Sequence, residues 1–238
     1  PEYNGIKYFP GDGAPAMPEI TDRIEANLRK PEPLPETEHG DVVREDLIGP
    51  HTEAVEELVA AYGFSADDDG VDLSGLTVAY DAMHGSGRGV TDEVLEDAGA
   101  EVQRLRCEAD PEFGGGAPEP AESNLHALAD HVVDGDADIG IANDGDADRI
   151  AVITPEGYLG ENRFFAATYD ALLEKDSGPA IRTVSTTFLI DRVAEAHGER
   201  VVETAVGFKW VAEAMGEHDA LIGGEESGGF SIRGHVRE

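Results

Sequence analysis

The chain has 238 residues, enough to bury a substantial core in one large or two smaller domains. Acidic residues outnumber basic ones 51 to 17, and a net charge of −34 repels nucleic acid and anionic lipid, so neither is an expected partner. No apolar run approaches the roughly 20 residues of a bilayer span, and the single cysteine, Cys107, cannot form an intrachain disulfide.

The first ten residues lack both the charged-then-apolar layout of an export signal and a starting Met. The expectation is a piece of a longer, cytoplasmic protein. Apolar spacing predicts helices over residues 19–28 and 52–62, the second with Val55, Leu58, Val59 and Tyr62 on one face and Gly63 as its C-terminal cap. Between them, residues 30–40, with three prolines and four charges, read as a linker. A strand at 76–80 leads into a Gly-rich turn, a helix stopping at Gly99 and a strand at 101–105. Cys107 follows that strand and reads as a buried or inert thiol.

A helix over 121–133 and strands at 138–142 and 150–154 come next. Helices at 162–173, 188–197 and 209–215 then alternate with strands at 181–185, 201–204 and 220–222. Strands alternating with helices of about ten residues predict βαβ units. The fold class is therefore α/β: two consecutive α/β domains with mostly parallel mixed sheets, joined near residues 155–160. The divisions expected are a remnant and linker at 1–45, a first α/β domain at 46–157 and a second at 158–238. Only four of the basic residues are lysine, on an otherwise well-patterned core. That composition suggests a halophilic protein, whose self-repulsion is screened in a salt-rich cytoplasm.

The sharpest chemical feature is Asn143-Asp144-Gly145-Asp146-Ala147-Asp148-Arg149, between two apolar strands. Carboxylates at i, i+2 and i+4 with small residues between them let one loop fold its oxygens around a hard cation such as Mg²⁺. An EF-hand needs Gly and Glu where Arg149 and Pro155 stand, so that loop type is excluded. Asp134-Gly135-Asp136-Ala137-Asp138 has the same spacing, but it lies at a helix end before a strand and reads as a solvated turn. Asp144 follows a strand's carboxyl end, where open α/β sheets place ligands, and Arg149 is a phosphate-pairing side chain.

His84-Gly85-Ser86-Gly87-Arg88-Gly89 offers amides to an anion but lacks the Lys-Ser/Thr of a P-loop, so a tight strand-to-helix turn is favoured over a nucleotide site. Gly223-Gly224-Glu225-Glu226-Ser227-Gly228-Gly229-Phe230 places acceptors and a hydroxyl on a Gly scaffold, which suits vicinal sugar hydroxyls. Gly207-Phe208-Lys209-Trp210 sets a scarce lysine after a strand. Lys209 is either a phosphate contact or a surface lysine lying over Trp210, and Lys7 poses the same choice.

Taken in order, Asn4 to Lys7, Asp81 to Gly87, Phe113 to Pro120, the loop 144–149, Gly207 to Lys209 and Gly224 to Gly228 resemble the α-D-phosphohexomutases, which include phosphoglucomutase and phosphomannomutase. The resemblance implies four domains around a cleft, of which this chain holds the second, most of the third and a remnant of the first. It implies an intramolecular phosphotransferase that interconverts hexose 1-phosphate and hexose 6-phosphate through a phosphoserine and a hexose 1,6-bisphosphate. By position, Asp144, Asp146 and Asp148 would hold Mg²⁺, and Arg149 would face the moving phosphoryl group. Glu225 and Ser227 would read sugar hydroxyls, with Gly207 and Lys209 also contacting substrate. Lys7 would stand beside the serine as a proton handler.

The family's phosphoserine stretch, Ser-His-Asn-Pro, would fall just before Pro1, and its fourth domain after Glu238. Turnover by this chain alone is not expected. Some members carry histidine where Gly229 stands, which leaves the general acid and base unassigned. The expected partners are hexose phosphates, glucose or mannose first because of Glu225-Glu226-Ser227-Gly228. A phosphoglucosamine mutase and a non-catalytic Mg²⁺ and sugar-phosphate module are the alternatives.

Overall fold

A computed structural model describes residues 6–11, 13–28, 40–63 and 71–236. The linker expected at 30–40 lies outside these residues except for Gly40, as do Asn4 and Gly5. Two helices come first, α1 (Pro18–Ala26), with proline in its first turn, and α2 (Ile48–Ala61). The first α/β unit runs β1 (Thr77–Asp81), α3 (Thr91–Asp97), β2 (Glu101–Leu105), α4 (His126–Val133), β3 (Ile139–Asn143), β4 (Ile150–Thr154) and β5 (Gly157–Tyr158). The second runs α5 (Glu161–Leu173), β6 (Ala180–Thr183), α6 (Leu189–His197), β7 (Val201–Thr204), α7 (Phe208–His218), β8 (Ile222–Gly224) and β9 (Phe230–Ile232).

The two sheets share one plan. In the first, ordered β2-β1-β3-β4-β5, the three leading strands are parallel and β4 and β5 turn back antiparallel. In the second, ordered β7-β6-β8-β9, three parallel strands are closed by antiparallel β9. Parallel strands joined by helical crossovers are covered on both faces, which is why β6 is buried at every position. Phe165, Tyr169 and Leu172 of α5 pack with Ile190 and Ala194 of α6 in one core cluster, while Val211 and Met215 of α7 pack with Ile181 in another. Below the first sheet, Leu128 and Val132 of α4 meet Ala79, Ala142 and Ile153.

The helix expected over 121–133 is two pieces, a 3-10 turn at Glu122–Asn124 and then α4. The Asn124 side-chain amide donates to the Glu119 carbonyl (2.9 Å) and Arg106 donates to the Asn124 carbonyl (3.1 Å), so tertiary partners take the groups that a continuous helix would use. β9 was not anticipated. The Gly-rich stretch after β8 folds back as a hairpin, closed by Glu225 N–H to the Gly229 carbonyl (3.0 Å). Among the described residues no helix is long and apolar enough to cross a membrane.

Candidate functional site

The loop 144–149 leaves the carboxyl end of β3 and returns as β4. Asp144 is buried, 1% exposed, and both its oxygens are taken by Arg149, through Nε (2.7 Å) and the backbone N–H (3.1 Å). Burial pushes its carboxyl above the ordinary aspartate range. Arg149 opposes that rise and the Asp148 charge adds to it. Ala147 takes φ 63°, a left-handed conformation that a non-glycine residue holds only when its surroundings impose it.

Those surroundings are the two segments that read as landmarks in the sequence. Ser86 N–H donates to the Gly145 carbonyl (3.0 Å), and Gly145 N–H donates to the Pro118 carbonyl (3.1 Å). A Cβ on Gly85 would stand 2.6 Å and 2.8 Å from the carbonyl oxygens of Asp144 and Gly145, so only glycine lets the turn seat against the loop. From below, Asn143 donates to the Arg149 carbonyl (2.9 Å) and accepts from the Tyr80 hydroxyl (3.1 Å). The segment His84 to Gly89 is thus a tight turn whose Gly85 and Ser86 amides are already spent on protein carbonyls.

One oxygen each of Asp144, Asp146 and Asp148 come within 4.8 Å of one another, the only such group of three among the described residues. Three carboxylates and no softer donor, held on a loop bound from both sides, fit a hard divalent cation. The earlier triplet is used otherwise. Asp138 accepts from the Thr77 amide (2.8 Å) and Asp136 from the Gln103 side chain (2.9 Å), at the opposite ends of β1 and β3.

All nine residues singled out in the sequence line one cleft of about 1300 Å³: Lys7, Asp144, Asp146, Asp148, Arg149, Gly207, Lys209, Glu225 and Ser227. Lys7 Nζ lies 3.4 Å from Asp146 and 3.2 Å from Asp148. Arg149 Nη1 lies 3.8 Å from Glu119. Glu225 accepts from the Gly207 amide (2.7 Å), which joins the loop after β8 to the start of α7. The Lys209 ammonium lies 5.2 Å from the centre of the Trp210 ring, as a lysine lying over that ring would, and the residue also lines the cleft. The loop after β8 also touches the start of β4, just past the loop 144–149, through Ile150 N–H to the Gly228 carbonyl (3.0 Å).

Three features of the site carried no readable signal. Thr21, Ile24 and Leu28 of the α1 segment form a wall of the cleft, although that stretch reads only as a domain remnant. Asn143 is the strut beneath the loop 144–149, which becomes evident only when Tyr80 arrives from β1. Glu226 faces away from Glu225. Its Oε2 accepts from the hydroxyls of Thr183 (3.1 Å) and Thr186 (3.2 Å), at the end of β6.

Residues 55–157 match the domain family described as phosphoglucomutase/phosphomannomutase, alpha/beta/alpha domain II, and residues 161–238 match alpha/beta/alpha domain III. A chain named as a phosphoglucosamine mutase in Methanopyrus kandleri is 36% identical over 232 residues, which cover 96% of this chain and 49% of that one. A phosphoglucomutase/phosphomannomutase of Thermococcus kodakarensis is 33% identical over 234 residues, covering 96% and 50%. A crystal structure described as a phosphomannomutase from Thermus thermophilus matches with a TM-score of 0.78 and 31% identity over 95% of this chain and 51% of that chain. The chain therefore spans about half the length of the relatives it matches. With two consecutive α/β/α domains matched in order and nearly the whole chain aligned to such relatives, it belongs to the phosphoglucomutase/phosphomannomutase family, the α-D-phosphohexomutases.

Proposed function

We propose that this cleft binds a hexose phosphate beside a divalent cation and supplies the metal-binding and sugar-reading part of a phosphosugar mutase. The full reaction in this reading interconverts hexose 1-phosphate and hexose 6-phosphate through a phosphoserine and a hexose 1,6-bisphosphate. The observation that carries it is convergence: four separate stretches of chain bring three carboxylates, three cationic side chains and a hydrogen-bonding loop to one cleft. In a protein of net charge −34, two of only four lysines, Lys7 and Lys209, stand at that cleft with Arg149. These cations, together with a bound divalent ion, would offset at the cleft a field that otherwise repels sugar phosphates.

Phosphoryl transfer asks a protein for positioning and charge neutralisation more than for covalent chemistry. Asp144, Asp146 and Asp148 would hold Mg²⁺, which when bound supplies Lewis-acid neutralisation of a phosphoryl oxygen. Arg149 anchors Asp144 through Nε and its backbone, and its terminal nitrogens remain to donate to a phosphate. Lys7 brings an ammonium to the same carboxylates and is the proton handler of this reading. Glu225 keeps acceptor capacity beyond its bond from Gly207, and Ser227 offers a hydroxyl, so the loop can read vicinal sugar hydroxyls.

Calorimetric titration of glucose 1,6-bisphosphate in molar KCl with Mg²⁺ tests this. Wild type should bind, and Asp148→Asn should weaken binding by about tenfold or more. A wild-type chain that binds neither Mg²⁺ nor the bisphosphate would remove the reading. Glucose and mannose phosphates are the preferred substrates. Relatives in Methanopyrus kandleri and Clavibacter michiganensis named as phosphoglucosamine mutases support glucosamine phosphate as the second reading. Competition of the three hexose 6-phosphates against the bisphosphate ranks them.

A further inference from the structure

Glu225, Glu226 and Ser227 are consecutive, yet their side chains serve different places. Glu225 and Ser227 line the cleft. Glu226 does not, and its Oε2 accepts two hydroxyl bonds, from Thr183 at 3.1 Å and Thr186 at 3.2 Å. Both threonines are buried, at 0% and 3% exposure, and their hydroxyls lie 2.9 Å from each other. Ser185 Oγ lies 3.1 Å from Thr183 Oγ1, which extends the cluster. The three hydroxyl residues belong to the end of β6 and the turn before α6, a rigid part of the second sheet. Burial alone would raise the Glu226 carboxyl. Hydroxyl bonds from Ser185, Thr183 and Thr186 outweigh it and hold the group below the ordinary glutamate range, so it stays ionised.

The loop around it has few other ties. The glycines at 223, 224, 228 and 229 give it no side-chain packing of its own. Apart from its hairpin bonds it is tied by the Gly207 amide to Glu225 (2.7 Å) and the Ile150 amide to Gly228 (3.0 Å). A half-buried carboxylate that accepts hydroxyl bonds from buried threonines is a stiffer anchor than a Gly-rich backbone.

We propose that Glu226 is a positioning residue: its carboxylate, docked on the Thr183–Ser185–Thr186 hydroxyls, sets where Glu225 and Ser227 stand and thereby sets affinity for the sugar. This rests on the reading of the cleft as a hexose-phosphate site. Misplacing a recognition group by about 1 Å costs on the order of a hundredfold in a positioned reaction.

The single tryptophan gives a local readout. Trp210 donates its amide to the Gly207 carbonyl (2.9 Å), and Gly207 is the residue that Glu225 holds. Trp210 emission is titrated with glucose 1,6-bisphosphate in Mg²⁺ and molar KCl, alongside Mn²⁺ affinity by electron paramagnetic resonance. Glu226→Ala should bind the bisphosphate about tenfold or more weakly while holding Mn²⁺ within about twofold of wild type. Glu226→Gln, which keeps a neutral acceptor, should recover part of the loss.

The isosteric pair Thr183→Val and Thr186→Val removes two of the three donors without touching the loop and should reproduce most of the effect. Adding Glu226→Ala to that pair should cost little more. If Glu226→Ala does not fold, the valine pair carries the same test. Bisphosphate binding unchanged in the valine pair, or losses that simply add, would overturn the positioning role and leave the cleft reading intact. A wild-type chain that holds Mn²⁺ but no bisphosphate would overturn both.

Discussion

Asp144 and Asp146 stand two residues apart in one loop but should respond differently to the same substitution. Asp144 is buried and bonded at both oxygens by Arg149, with acceptor capacity left on each, whereas the Asp146 side chain is 65% exposed and meets a solvated lysine. Removing the Asp144 charge takes from Arg149 its nearest carboxylate and leaves only Glu119 and Asp148 at 3.8 and 3.9 Å, so Asp144→Asn should destabilise the fold by about 1–3 kcal/mol. Asp146→Asn should stay within about 0.5 kcal/mol of wild type, yet both should lose Mn²⁺ affinity. Chemical denaturation together with Mn²⁺ resonance separates the two effects. Equal stability losses would mean that the Arg149 clamp is not what holds the loop.

Glu226 makes a second residue-scale prediction, this time in pH. A carboxyl lowered in the folded state stabilises it at all pH values above the ordinary glutamate range and loses that contribution as pH falls through its own lowered value. The stability gap between wild type and Glu226→Gln should therefore be full near neutrality and shrink on acidification below the ordinary glutamate range. A gap that widens on acidification would contradict the sign of the shift.

At the scale of elements, the loop 144–149 is shaped by its neighbours more than by its own residues. The turn at Gly85 and the segment at Pro118 grip it through main-chain bonds, and a Cβ at position 85 would strike backbone atoms that have no rotamer to yield. Gly85→Ala should cost about 1–3 kcal/mol, the range of overpacking, and should weaken Mn²⁺ binding although no ligand changes. Unaltered Mn²⁺ affinity in a folded Gly85→Ala protein would show that the loop keeps its shape unaided.

The elements themselves were largely legible. Periods of two and 3.6 marked β4 and α6 within a residue or two because each buries a regular face, and the edge strands β2 and β7 were placed as closely although neither holds a fully buried residue. The helix expected through 121–133 failed because Arg106 and Asn124 compete for its first turn. β9 was missed because a three-residue strand beside four glycines has no periodicity of its own. It exists only by pairing with β8.

For the whole molecule, charge is the dominant fact. A net charge of −34 on 238 residues makes compaction work against self-repulsion. Screening shortens the reach of that repulsion from about 30 Å at 0.01 M salt to about 3 Å at 1 M. The melting temperature should rise steadily from 10 mM to 1 M, in KCl and NaCl alike. A flat or falling curve by circular dichroism would sink the salt-adapted reading.

Local pattern was sufficient to place strands, helices and the loops after strand ends, because burial on one face forces a period and open sheets put ligands at carboxyl ends. It also picked Asp144, Asp146 and Asp148 over their near copy at 134–138, since only one copy follows a strand. What it could not decide was meeting. Lys7 reaches Asp148 across 141 residues, Glu225 reaches Gly207 across 18 and Glu226 reaches Thr183 across 43. The last two exist because the second sheet sets the loops at its strand ends side by side, and the first because the stretch before α1 folds onto the loop 144–149; a hydrogen bond leaves no trace in the spacing of residues so far apart.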